Sequence, residues 1–321
     1  MNLSLKNLIV LSIALLALLL CPLFGAEIIP FNSLFSTSSM DYRIFWELRI
    51  PRWLLCIGVG GILSSLGGCY QNILRNPLAE PYVLGISSAV ALVLVSLDLF
   101  TSIPPTSMIA VILAGIVGTL ASIFLLAMSS SPIGIQVDRI LLSGLGLNFV
   151  LSATLFLLLS YVNQQMGGGS LRWLFGNIPW PNLITSASVF SISVLLLVTL
   201  VLFSRQMDAL TLGDSVARTL GFSPNLCRMT VLVLSSTMLA VTVALTGSIG
   251  FVGLVVPHVV RLIFRPDSTR SLLALSYLLG GVFLTLSDVL SRSILPPFEF
   301  PIGIITTLIG GPIFLAVLWR R

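Results

Sequence analysis

The chain has 321 residues, 56% of them hydrophobic and 8% charged, with a mean hydropathy of +1.09. Soluble domains carry roughly a quarter charged residues, so this composition excludes a water-soluble globular protein; repeated apolar runs of about twenty residues fit the hydrocarbon core of a bilayer. The net charge is +5, but the basic residues are scattered between apolar runs and form no stripe, which marks membrane topology and not nucleic-acid binding.

An all-α polytopic membrane protein of about ten transmembrane helices, in a single domain over residues 1–321, is therefore expected. Hydropathy and chain breakers place the spans at 5–25, 53–74, 82–97, 108–128, 140–160, 183–203, 229–245, 249–264, 272–290 and 302–319. Lys6 and the apolar run 8–20 have the look of a signal peptide, and "LLLC" ending at Cys21 loosely matches a lipoprotein box. Leu20 is not the small residue such a box needs, and further spans follow, so a retained first helix is expected. No pair among Cys21, Cys56, Cys69 and Cys227 has metal-ligand spacing, so four free thiols are expected, with no metal and no cofactor.

The second span, "LLCIGVGGILSSLGGCYQNIL", sets Gly60, Ser64 and Gly68 four residues apart, and the fourth does the same with Ala110, Ala114, Gly118 and Ser122. Small residues on one helical face let backbones approach where lipid removes the hydrophobic drive. Glycines and a proline interrupt the eighth span, "GSIGFVGLVVPHVVR", which is compatible with a partly re-entrant helix. With the N-terminus inside, eleven Lys and Arg fall on the inner side (Lys6, Arg75, Arg139, Arg205, Arg218, Arg228, Arg261, Arg265, Arg270, Arg320, Arg321). Five fall outside (Arg43, Arg49, Arg52, Arg172, Arg292). That is the direction of the positive-inside rule, and it places both termini in the cytoplasm.

Between the second and third spans lies "QNILRNPLAEPYVLG", residues 71–85. Pro77 and Pro81 disfavour helix at Asn76 and Glu80, so this segment must turn. Gln71 and Asn72 sit in the last helical turn near hydrocarbon depth, where their amides must face protein or water. An ordinary inner turn and a functional element both fit those residues. The longest polar inner segment is 204–228. There Asp214 suits a helix N-cap, "SVARTL" a short helix and Gly221 its stop; Val216, Ala217 and Leu220 form a small apolar face at helical spacing. His258 is the only histidine and has no partners at zinc-ligand spacing, so a packed or hydrogen-bonded role is expected. Asp288 and Arg292, spaced i, i+4, are candidates for a pair. The outer loop 161–182 carries Trp173, Phe175 and Trp180, read as interfacial belt residues ahead of a flat ligand's platform.

Four stretches, "RIPR" (49–52), "QNILRNPLAEPYVLGISS", "TGSIGFVGLVVPHVVRLIF" (246–264) and "PPFEFPIGIITTLIGGPIFLAVLWRR" (296–321), resemble the signatures of the FecCD family of permeases, in the family's order and over nearly the whole chain. These are membrane subunits of ABC importers for ferric siderophores, haem and cobalamin. The sequence departs from the family pattern in "GISSAVA", in "GNI" at 176–178 and in "DSTR" at 267–270. The resemblance implies a type II importer permease in the bacterial inner membrane. It further implies a homodimer with one pathway at its two-fold axis, cytoplasmic ATP-binding subunits, and a periplasmic or lipid-anchored substrate-binding protein. It implies an inner gate at Gln71, Asn76 and Leu78, ATPase coupling by Asp214, Val216, Ala217, Leu220 and Gly221, and docking of the binding protein by Arg49, Arg52 and Arg292 at the outer membrane surface.

Two other classes compete. An ion-coupled secondary transporter normally needs ionisable groups deep in the membrane, and the charges here cluster at span ends. An intramembrane enzyme would need catalytic residues, and the chain has neither HExxH nor, for ATP hydrolysis, a Walker A sequence. Energy is expected to arrive from a partner, and the substrate is left among siderophore, haem and cobalamin.

Overall fold

The computed structural model describes residues 5–25, 27–35, 39–82, 84–101, 103–128, 130–131, 134–135, 137–166 and 175–319. Within them the chain is a helical bundle: α1 (Leu5–Leu20), α2 (Met40–Ile73), α3 (Ile86–Thr101), α4 (Met108–Met128), α5 (Val137–Met166), α6 (Leu183–Leu202), α7 (Ser204–Thr211), α8 (Asp214–Thr219), α9 (Pro224–Thr246), α10 (Val252–Phe264), α11 (Thr269–Ser293) and α12 (Ile302–Leu318). One two-residue β pairing, Ser130–Ser131 with Gly134–Ile135, lies between α4 and α5. Among the described residues α2, α4, α5, α6, α9 and α11 are long and apolar enough to cross a membrane, while α1, α3, α10 and α12 are apolar but shorter.

Local chemistry sets the helix ends. Asn182, Ser223 and Ser268 cap α6, α9 and α11 through side chains that accept from backbone N–H groups two or three residues into each helix. Pro224 follows its cap at the first helical position, where its missing N–H costs nothing. The predicted third span begins too early. Residues 80–82, 84 and 85 are outside any helix and helix starts at Ile86, because Gly85 takes φ +76° and lies against the backbone of Asn148 in α5. The eighth span also starts late. Gly247 and Phe251 both adopt positive φ, so helix begins only at Val252. Thirteen residues make about 20 Å of helix, well short of the ~30 Å hydrocarbon core. A left-handed Phe is strained by about 1–3 kcal/mol, and Gly310 of α12 leaves room for it: a Cβ there would lie 2.9 Å from that of Phe251.

Helix α2 is the hub. It opens with a turn over Met40–Arg43, passes through a π-helical stretch at Ile44–Arg49, and runs as α-helix over Ile50–Ile73, nearly all of it buried. Its closest neighbour is α11. A Cβ on Gly60 would run into the carbonyl of Gly280, and one on Gly280 into Ser64. The Ser64 hydroxyl lies 2.7 Å from both Gly60 O and Ser276 O, so it can donate across the interface. Beside them the ring of Tyr277 packs on Gly61, and its hydroxyl meets Ser193 Oγ of α6 at 2.5 Å. One turn further, Gly67 abuts the backbone of Gly253 at the start of α10. The stripe on α4 works the same way: Ala110, Ala114 and Ser122 are buried, and Gly118 fits against Val90 of α3 and Ser236 of α9.

Gly280→Val is expected to prevent α2 and α11 from closing, because two backbones must separate to admit the side chain; even ordinary overpacking costs about 1–3 kcal/mol. The variant should lose most of its monodisperse yield in detergent, whereas Gly146→Ala, which meets nothing within 4 Å, should melt like the wild type.

Candidate functional site

Three groups of predicted residues occupy distinct places. The first lies at the end of the bundle that the charge bias assigns to the cytoplasm, the inner end. Gln71 is buried, and its amide nitrogen donates to the carbonyls of Gly253 and Leu254 at 3.3 and 3.2 Å, while its oxygen accepts from Arg261. Arg261 also donates to Asn72 at 2.8 Å; Asn72 donates to Thr269, which donates to Asp208. This chain ties α2, α10, α11 and α7 together. Gln71 is therefore a cross-link between helices, and Asn76 and Leu78 form the tip: Asn76 Oδ1 accepts from Leu78 N at 2.8 Å, closing an Asx turn that leaves Leu78 exposed. Gln71, Asn72, Arg75, Asn76, Pro77, His258 and Arg261 line a cavity of about 160 Å³.

Glu80 departs from expectation. The sequence places it in an inner turn, yet the structure buries it, with a hydrogen bond from the backbone N–H of Leu254. Its Oε2 has no partner among the described residues. Helix α10 has no cap of its own, so Glu80 caps it from another segment. Tyr82, two residues on, accepts from Ile249 N at 3.0 Å. A carboxylate is thus buried where the sequence alone reads an exposed turn.

The second group is α8. Gly213, at φ +123°, is its cap, and Asp214 is the first helical residue, which corrects the N-cap reading. Asp214 instead accepts a bidentate pair from Arg228 at 2.7 and 2.8 Å, with Arg75 3.5 Å away. Arg228 is wholly buried and also donates to Ile73 O, so the clamp fastens α8 to α9 and to the end of α2. Hydrogen bonds from Arg228 hold the Asp214 carboxyl below the usual carboxylate range. Gly221, at φ +82°, follows the helix, where its N–H bonds Arg218 O. The predicted apolar face divides: Ala217 is buried, while Val216 and Leu220, four residues apart, are exposed.

The third group is the set of arginines expected at the outer membrane surface, and all three are buried among protein groups. Arg49 is buried and donates to the carbonyls of Pro22, Leu23 and Glu27. Arg52 is 1% exposed, paired with Asp288 at 2.8 Å and Glu299 at 3.1 Å, its guanidinium 4.2 Å from the Trp180 ring centroid. Arg292 is buried and pairs with Asp288 at 3.0 Å, as its i, i+4 spacing proposed. The glycine run 167–169, Arg172 and Trp173 of the outer loop, and Arg320 and Arg321, lie outside the described residues.

Asp208, Glu80 and Glu299 were missed as site residues, because nothing local marks a carboxylate whose partner is dozens to hundreds of residues away. The Asp214–Arg228 clamp had one signal, an arginine within the first turns of an apolar span. The four thiols are buried and free, and among the described residues no three His, Cys, Asp or Glu side chains gather as a metal site.

A family model described as the FecCD transport family matches residues 12–320. The hemin transport system permease protein HmuU of Yersinia pestis is 34% identical, over 92% of this chain and 90% of its own length. The vitamin B12 import system permease protein BtuC of Vibrio cholerae is 34% identical over 88% and 85%, and the Fe(3+) dicitrate transport system permease protein FecD of Escherichia coli 36% over 87% and 86%. A solved structure described as an inward-facing metal-chelate type ABC transporter superposes with a TM-score of 0.81 at 26% identity, covering 97% of this chain and 99% of that one.

Asp214→Asn should loosen α8. Because the Asp214 carboxyl is more acidic folded than unfolded, its contribution is full above the unfolded value of about 3.9 and is lost as pH falls through the folded value. The variant should therefore melt below the wild type at neutral pH, and the two melting curves should converge in acid; parallel curves across that range would refute the clamp.

Proposed function

The chain belongs to the FecCD transport family as a membrane-spanning permease subunit of an ATP-binding-cassette importer, and we propose that two copies form one translocation pathway for a metal chelate. The cargo class is an iron chelate, as siderophore or haem, or cobalamin, since relatives of nearly equal identity carry the names of hemin, B12 and ferric dicitrate permeases. The chain itself is not a catalyst; a separate cytoplasmic ATPase supplies the energy, and a periplasmic or lipid-anchored binding protein supplies the cargo. The assembly sits in the bacterial inner membrane with both termini inside.

The observation that carries this reading is the exposed apolar ridge of Val216 and Leu220 on a helix clamped to the bundle. A solvated loop has no use for two aligned apolar side chains on an ordered helix; a groove on an ATPase does. Ala217 and the Asp214–Arg228 pair hold the helix against the membrane domain, and Gly221 ends it, so force applied at the ridge reaches α9 and α2. The turn bearing Asn76 and Leu78 lies at the same end, braced by Gln71, and is assigned the inner gate. At the other end the Arg49, Arg52 and Arg292 cluster is assigned to docking, its charges orienting an acidic partner and speeding encounter.

Leu220→Asp and Val216→Asp should abolish co-purification of the ATPase while leaving the melting curve unchanged, because a charge on the ridge must be buried unpaired. Ala217→Arg should instead unfold the segment. The purified permease should hydrolyse no ATP, and hydrolysis by it alone would sink the reading. Arg52→Glu should slow association of the binding protein and remove its salt dependence.

A further inference from the structure

Helix α10 carries a proline in its interior. Pro257 has no N–H for the carbonyl of Gly253, four residues back, and its ring crowds that carbonyl. The carbonyl meets α2 instead, where Gly67 and Gln71 lie one turn apart on the same face. A Cβ on Gly67 would lie 1.9 Å from Gly253 O, so this glycine makes room for it. Gln71 then bonds it. The amide nitrogen of this buried side chain lies 3.3 Å from Gly253 O and 3.2 Å from Leu254 O.

The same amide reaches past the proline. Its oxygen accepts from Arg261, four residues beyond Pro257. Only one orientation of the amide serves both sides, because a guanidinium has no acceptor and a carbonyl no hydrogen to give. Gln71 is therefore a splint across the break, a donor before Pro257 and an acceptor after it. Its backbone is committed as well. Gln71 O accepts from Asn76 N at 3.2 Å and Asn72 O from Arg75 N at 3.2 Å, with Arg75 at φ +48°. Those paired bonds close a helix through a left-handed residue. One residue is thus bonded to the turn that bears Leu78 and to α10 on both sides of its proline.

Resting on the inner-gate role assigned above to that turn, we propose that Gln71 is a positioning residue: it supplies the hydrogen bond that Pro257 withholds, and so ties the geometry of α10 at the proline to the position of the turn. With the amide in place, α10 is held as one unit across Pro257. With the amide withdrawn, the carbonyl of Gly253 loses its side-chain donor in a buried setting, and the inner part of α10, residues 258–264, is free to turn about the proline. A plain cross-link between helices would join α2 to α10 and leave the proline break as it is.

The test is amide hydrogen exchange in the full chain in lipid nanodiscs, read over residues 252–264. Gln71→Met keeps the length of the side chain and removes the amide, which should speed exchange there about fivefold, the effect of losing one net hydrogen bond. Pro257→Ala gives residue 257 its own N–H for Gly253 O, so in that background Gln71→Met should speed exchange by less than about twofold. A plain cross-link would cost the same with either residue at 257; equal acceleration in both backgrounds overturns the proposal, as does none in either. Gln71→Glu keeps the proposal testable if Pro257→Ala does not fold. Ionised beside Arg261, it retains an acceptor for the guanidinium but has no N–H for the carbonyls, so exchange should quicken as in Gln71→Met, and wild-type exchange would overturn the splint. The gate assignment is decided apart from this. Leu78→Ala should raise leak of entrapped carboxyfluorescein from vesicles holding the assembled transporter; unchanged leak removes the gate and leaves the exchange result, which needs no transport, standing.

Discussion

Everything in this fold depends on how closely α2 and α11 approach. Lipid tails are as apolar as leucine side chains, so burying apolar surface between helices gains little in a membrane. What remains is dispersion at short range and hydrogen bonding in a medium without water. Gly60 facing Gly280 brings two backbones together, and Ser64 turns that closeness into a hydrogen bond reaching Ser276. With those helices joined, α6 is placed by Tyr277 and Ser193, and α10 by Gly67 against Gly253. The glycines are the contact surface.

Charge then fastens both ends of this dry interior. At the outer end Asp288 of α11 binds Arg52 of α2 and Arg292 of its own helix; at the inner end Arg228 of α9 grips Asp214 of α8. Arg52 and Arg228 are among the largest fully buried side chains, and neither tolerates loss of its partner, because a guanidinium stripped of acceptors in low dielectric is far more costly than a missing surface pair. Such pairs define register: α2 and α11 cannot slide along their small-residue faces without separating Arg52 from Asp288.

Between the ends, the broken helix α10 is held by residues from elsewhere. Glu80 caps it, Tyr82 takes the N–H of Ile249, and Gln71 bonds the carbonyls of Gly253 and Leu254. All three belong to the stretch that also carries Asn76 and Leu78 at its tip. A displacement of the inner turn is therefore transmitted to the start of α10, and Arg261 at the other end of α10 returns to Gln71 and Asn72. The inner turn and α10 form one hydrogen-bonded body.

Composition, apolar run lengths and glycine spacing determined by themselves that this chain is a helical membrane bundle, approximately where its helices lie, and that Gly60, Ser64 and Gly118 face neighbours. Those properties are one-dimensional: length follows from bilayer thickness and face from a period of 3.6 residues. The i, i+4 pair of Asp288 and Arg292 was legible for the same reason. Only the tertiary structure decided which charge meets which across 236 or 247 residues, as Arg52 does with Asp288 and Glu299. It also decided that Glu80 caps a helix instead of facing water, and that Ala217 turns inward while Val216 and Leu220 turn out. Burial and partner choice depend on what the rest of the chain places opposite a residue, and no local period encodes that.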